Sequence, residues 1–151
     1  MTLLETIRTI ENVASQQPAV NMIVRNDIFR LNAVPDARYG VFGWLQNSHR
    51  ASTSDNRITY SFTFFYVDRL TENAGNQMEI QSVGIQTLDN IIRTLDDLLL
   101  PVEEGYTFQV FNQRFMDECA GVFSNVSIVV PVTEICPEDF DYVINPNIMI
   151  V

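Results

Sequence analysis

Residues 57–68, RITYSFTFFYVD, decide the fold. Ile58, Tyr60, Phe62 and Phe64 point one way and Thr59, Ser61 and Thr63 the other, the alternation of a half-buried antiparallel strand. At Phe65 and Val67 the polar face turns apolar too, which predicts cover on both faces at that end, from a helix or a partner. On the N-terminal side lies QNSHRASTSDNR (46–57), almost devoid of apolar residues, and before it RYGVFGWL, read as a strand over 38–46. The pair predicts a hairpin with a long polar loop at 46–57. Gly40 and Gly43 in its first arm predict a bulge or a close backbone approach.

Further out, residues 2–15 read as a helix. Thr2 and Glu5 form a capping box, and Leu3, Ile7, Ile10 and Ala14 keep helical spacing until Gln16–Pro18. AVNMIVRNDIFRLN (19–32) reads as two extended pieces, about 20–24 and 27–31, around a bend at Arg25–Asn26, with a turn at Pro35–Asp36. After a loop at 69–75, residues 76–99 carry a helical stripe through Ile80, Val83, Gly84, Leu88, Ile91, Leu95 and Leu98, stopped by Pro101. Strands are predicted at 106–112 and 123–131, separated by the acidic stretch MDECAG. The sum is an α+β fold: one mainly antiparallel, twisted sheet with two helices packed on one face. Residues 1–132 form the single domain, and 133–151 are a C-terminal extension whose apolar end, IMIV, packs on its own sheet or on a neighbour.

The chain has 151 residues, 46% hydrophobic and 19% charged, with 19 acidic against 9 basic residues and a net charge of −10. This is a globular composition, and 151 residues suffice for a real core. All nine basic residues are Arg and Lys is absent, for which there is no physical account; Arg suits bidentate contacts with carboxylates. The acidic balance argues against nucleic-acid binding, since phosphate affinity needs clustered positive charge, while a like-charged wall would let DNA slide past. The N-terminus lacks the pattern of a signal peptide and no apolar run reaches the ~18 residues of a span, so the expectation is a soluble chain made in a cytoplasm.

A chemistry-bearing constellation is not legible. The single histidine, His49, sits in the polar loop and reads as a solvated side chain. Cys119 and Cys136 lack metal-ligand spacing and read as free thiols. The acidic pairs Asp96–Asp97, Glu103–Glu104, Asp117–Glu118 and Glu138–Asp139 are sequence neighbours of the solvated kind; a divalent ion on Asp117 and Glu118 would have no fixed ligand count. The expectation is therefore a protein that is not an enzyme, with no catalytic residues, cofactor or metal. The loop 46–57 carries His49, Arg50 and Arg57 in an acidic chain, and arginines on one side of an acidic protomer can pair with carboxylates on the next. Such a heterologous contact closes into a ring when its rotation allows. The competing reading is a mobile hairpin tip.

The helix, the hairpin strand YSFTFFYVDRL, the second helix NQMEIQSVGIQTLDNIIRTL and the closing strand FMDECAGVFSNVSIVVPV follow one another in an order that resembles the tail-completion or tail-terminator proteins of tailed bacteriophages, and related neck-ring, head–tail connector proteins. The resemblance covers roughly residues 2–132; residues from Thr133 onward fall outside it. It implies a structural virion protein at the head–tail junction, in a homo-oligomeric ring of six copies, with twelve the alternative, around a DNA channel. Its partners would be portal or neck and tail-tube proteins, with DNA passing through unbound and no membrane involved. It would be assembled in the cytoplasm of a host bacterium and reside in the virion. On this reading the subunit contacts are His49, Arg50, Arg57 and the end Ile148, Met149, Ile150 and Val151, and Glu103 and Glu104 face the channel. The alternative is a small-molecule-binding or enzymatic cone like that of nuclear-transport-factor-2-like proteins, with Tyr60 and Asp68 at the base of a pocket. A third reading is an adaptor that pairs with a partner through a sheet edge.

Overall fold

The computed structural model describes residues 1–98, 101–114, 117–132 and 144–151. Helix α1 (Leu3–Ser15) starts at the capping box: the Thr2 amide donates to Glu5 Oε2 at 2.6 Å, and the Glu5 amide to Thr2 Oγ1 at 3.2 Å. Thr6 and Thr9 are buried on its inner face, and their hydroxyls donate to the carbonyls of Thr2 and Glu5 at 2.9 and 2.8 Å, so no polar group is stranded there. Strand β1 (Met22–Arg25) ends where Asn26 takes a positive φ of 59°. The second extended piece expected at 27–31 is instead a 3-10 turn, Ile28–Ala33. Asp27 caps it, accepting the Phe29 amide at 2.9 Å, and spacing by three sets Ile28, Leu31 and Val34 down on one apolar cluster.

Strand β2 (Val41–Gln46) leads into the polar stretch, which is not a long loop. Residues Arg50–Ser52 form β3 and pair with Arg57–Thr59 of β4 (Arg57–Arg69), leaving only 53–56 as the turn. The register slips by one residue between Gln46↔Phe62 and Arg50↔Thr59, a bulge at 47–49. Helix α2 (Gln77–Asp97) follows a second 3-10 turn at Glu72–Ala74, and β5 (Gln109–Arg114) and β6 (Glu118–Pro131) complete the hairpin partner of β4. The acidic stretch expected to separate the last two strands is largely inside β6: Cys119 and Ala120 are fully buried, and Gly121 fits where a Cβ would strike the Tyr66 carbonyl and the Phe111 ring. The last strand, β7 (Met149–Ile150), runs parallel to β1.

The sheet order is β5-β6-β4-β2-β1-β7, with β3 on β4 beside β2, so β4 is central and pairs with β6 over its whole length. Pairing is antiparallel except for β1 with β2 and β7. Both helices cover one face, packing on Phe42, Trp44, Tyr60, Phe62, Phe64 and Val122. On the other face, the cover that Phe65 and Val67 required comes from the 3-10 turn at 28–33 together with Met149 and Val151. This second cluster reaches only part of the sheet. Within the helix-side core, Ser124 is 1% exposed and its hydroxyl has no hydrogen-bond partner. Ser124→Ala is therefore expected to raise unfolding stability by about 1 kcal/mol, because it removes a desolvated group without opening a cavity; a loss in urea titration would mean that the hydroxyl has a partner.

Candidate interaction surface

The part of the second face that no other described residue covers runs along β4 and its neighbours. Alternation places Arg57, Thr59, Ser61, Thr63 and Phe65 there from β4, and Phe123, Asn125, Ser127 and Val129 opposite them from β6. The middle is a polar ladder: Thr63 Oγ1 donates to Asn125 Oδ1 at 2.7 Å, Asn47 Nδ2 donates to Thr63 Oγ1 at 3.0 Å, and the Ser61 and Ser127 hydroxyls share a bond of 3.1 Å. Toward the buried end the ladder gives way to an apolar cleft of about 340 Å³, lined by Ile28, Phe29, Leu45, Phe65, Phe111 and Phe123, with Thr63 and Gln113 at its rim. Toward the hairpin tip it gives way to Arg50 and Arg57, which share a hollow of about 190 Å³ with Asp55 and Glu103.

The residues expected at a subunit contact divide into three groups. His49 belongs to the hairpin itself: at the bulge its Nδ1 accepts the Ser61 amide at 3.2 Å, its Nε2 donates to Gln46 Oε1 at 3.1 Å, and its ring stands 5.4 Å from Tyr60 and 5.7 Å from Phe62. That tautomer lets the imidazole replace a ladder carbonyl where the register slips, so it is not merely a solvated side chain. Arg50 and Arg57 are exposed, and neither joins the ion pairs among the described residues, which are Arg25–Glu11, Arg69–Asp117 and Arg93–Asp89. Ile148, Met149, Ile150 and Val151 are half-buried on this chain's own β1: the Val151 amide donates to the Ile23 carbonyl at 3.1 Å. What they leave outward is a short sheet edge.

Glu103 and Glu104, read as a pair facing one channel, diverge. Glu103 lines the hollow of Arg50 and Arg57, while both glutamates border a second hollow of about 370 Å³ with Arg93, Asp96, Asp97 and Tyr106. There the Tyr106 hydroxyl donates to Asp89 Oδ1 at 2.6 Å, and burial, then this bond, push its pKa up to about 12. At the tip, hydrogen bonds from Ser52 and Ser54, both 2.6 Å, hold the Asp55 carboxyl below its usual range and fix the turn. Asp117 is engaged by the Tyr39 hydroxyl at 3.0 Å and Arg69 at 3.4 Å, and among the described residues no group of three His, Cys, Asp or Glu is arranged to hold a metal. Cys119 is a buried thiol pushed up to about 11, chiefly by burial, and Cys136 and Glu138–Asp139 lie outside the described residues. Among the described residues no helix is long and apolar enough to cross a membrane.

The pocket expected of a cone fold is not assembled from its candidates. Tyr60 and Asp68 are eight residues apart on the straight run of β4, about 26 Å at the usual strand rise, too far to share a pocket base. Burial raises the Asp68 carboxyl above its usual range. A carboxyl raised on folding favours the native state below its unfolded value of about 3.9, and that contribution is lost as pH rises through the folded value. Asp68→Asn, which keeps an acceptor for the Arg69 amide now 2.7 Å from Oδ1, should thus gain on the wild type from about pH 4 upward. Thermal melts from pH 3 to 8 check this; a gap widening toward acid would contradict it.

No protein-family model matches the chain, and no curated protein matches it.

Proposed function

We propose that this protein is a structural, ring-forming component of a tailed-phage virion, seated at the head–tail junction as a tail-completion or neck protein around the DNA channel. The single observation that carries the reading is the two-sided sheet. Helices seal one face, and among the described residues the other is left with an aromatic cleft, a polar ladder and two arginines that join no ion pair, in an acidic chain. A face of this kind is suited to a protein partner, and a copy of the same chain is the partner always present at equal concentration. The order of elements is the second support: amphipathic helix, hairpin, second helix and two closing strands, on one sheet. The expected partners are other copies, portal or neck proteins and tail-tube proteins, and the expected location is the virion.

The test is absolute mass by light scattering across a concentration series, with negative-stain imaging for annular particles and addition to tails that lack this protein. Annuli of six copies, or twelve, and completion of such tails are the expected results. A chain that stays monomeric at high concentration and joins no tail or portal assembly would overturn the reading.

A further inference from the structure

The cleft has a counterpart on the opposite side of the same molecule. Helix α2 buries Ile80, Gly84, Thr87, Leu88, Ile91, Ile92 and Leu95, and turns its other side to solvent. On that side the N-terminal half exposes Met78 (83%), Val83 and Ile85 among Glu79, Ser82 and Gln86, whereas the C-terminal half carries Asp89, Arg93, Asp96 and Asp97. Met78 and Ile85 are seven residues apart and stand on one stripe. An unbranched thioether on a helix is the kind of knob that an aromatic-walled slot accepts, since it adapts to irregular space and makes favourable sulfur–aromatic contacts.

Charge and spacing argue for the same occupant. On α2, Asp96 lies eleven residues beyond Ile85 on the same stripe, about 16 Å at helical rise. On the open face, from Thr63 at the cleft rim to Arg57 is six residues of strand, about 20 Å. A helix laid along β4 with Met78 and Ile85 in the cleft therefore brings its acidic half to Arg57 and Arg50. Arg30 is exposed on the 3-10 turn, next in sequence to the cleft residue Phe29. These three arginines take part in none of the ion pairs formed among the described residues.

Building on the assembly reading above, we propose that copies join heterologously, the Met78–Ile85 stripe of α2 in one copy seated in the Phe29–Phe65–Phe111–Phe123 cleft of the next, with Asp96 facing Arg57. Because knob and cleft lie on opposite faces, each copy offers one of each. The contact repeats in one direction and yields a ring if its rotation closes, or a filament if it does not.

Cysteine trapping tests this in the full-length chain. One chain carries Met78→Cys and the other Phe29→Cys, both with Cys136→Ser; Phe29 is 54% exposed, so its replacement spares the core. The mixture should form a disulfide-linked dimer under mild oxidation at least tenfold faster than either chain alone. Phe29→Glu, with a native circular-dichroism spectrum, should raise the dissociation constant of the assembly at least tenfold. Self-linking of either chain alone at the rate of the mixture would mean a symmetric contact and overturn the proposal. Multimers by light scattering with no cross-link in the mixture, and no response to Phe29→Glu, would overturn this contact but leave the assembly reading standing. A monomer at every concentration would remove both.

Discussion

Arg25→Met is expected to cost about 2–3 kcal/mol and to lower Tm by roughly 5–10 °C. Glu11 is on the inner side of α1, its side chain 2% exposed, and its two carboxylate oxygens take two bonds from one guanidinium: Arg25 Nε to Oε2 at 2.6 Å and Nη2 to Oε1 at 2.9 Å. Removing the arginine strands a desolvated carboxylate, which in a sealed interior costs about 3–5 kcal/mol. Arg25 itself is 44% exposed, so water reaches the site once the guanidinium is gone, and the lower figure follows. The pair also links the end of β1 to α1, between residues 14 positions apart in the chain. Two companion variants isolate the cause. Glu11→Leu with Arg25→Met removes both charges and should recover most of the loss. Arg93→Met breaks the exposed Arg93–Asp89 pair on α2 and should cost no more than about 0.5 kcal/mol. Equal losses for Arg25→Met and Arg93→Met in urea titrations would show that the Glu11 carboxylate is hydrated.

The parts of the fold that sequence revealed are those where local pattern and burial agree. The Tyr60–Phe62–Phe64 alternation marks the central strand because β6 pairs with it along its full length and β2 and β3 share its other edge, and Thr2–Glu5 marks a helix start whose caps are local. Phe65 and Val67 correctly demanded cover on a second face. What supplied that cover was read wrongly: Ile28, Phe29 and Leu31 have strand-like composition, and the Asp27 cap with spacing by three was the signal for a 3-10 turn. The polar stretch 46–57 read as a loop because β3 is a three-residue, largely exposed strand at the hairpin tip, where no apolar residues are needed. His49 could not be placed because a one-residue bulge decides which way it points. Glu118–Gly121 read as a linker because small and acidic residues mask a strand whose close packing demands small side chains. β7 has only two paired residues and therefore no period to detect. Of the interaction surface, only the arginines were visible; Phe65, Phe111 and Phe123 become one cleft through strand pairing, which no local window contains.

Gly43→Ala is expected to destabilise the fold by about 3 kcal/mol, although adding a methyl group to a strand glycine would ordinarily gain about 0.5–1 kcal/mol. Gly43 pairs with Phe65 across β2 and β4, and the end of the Phe65 ring reaches over the glycine, so that a Cβ would fall among the ring carbons Cζ, Cε1 and Cε2. Phe65 is 1% exposed and cannot swing into solvent; its ring is held by the turn at 28–33 on one side and by the cleft on the other. The added methyl must displace the ring, and the natural direction is into the cleft that it borders. A double-mutant cycle separates this from a backbone effect. Phe65→Ala alone should cost about 3–5 kcal/mol, and the double variant clearly less than the sum, because the smaller side chain makes room for the methyl. Additive losses would place the strain in the β2 backbone instead. Since the displaced ring would narrow the slot proposed for Met78, Gly43→Ala should also weaken association in light scattering at temperatures where the variant remains folded. A stabilised Gly43→Ala with unchanged association would remove the close approach on which both expectations depend.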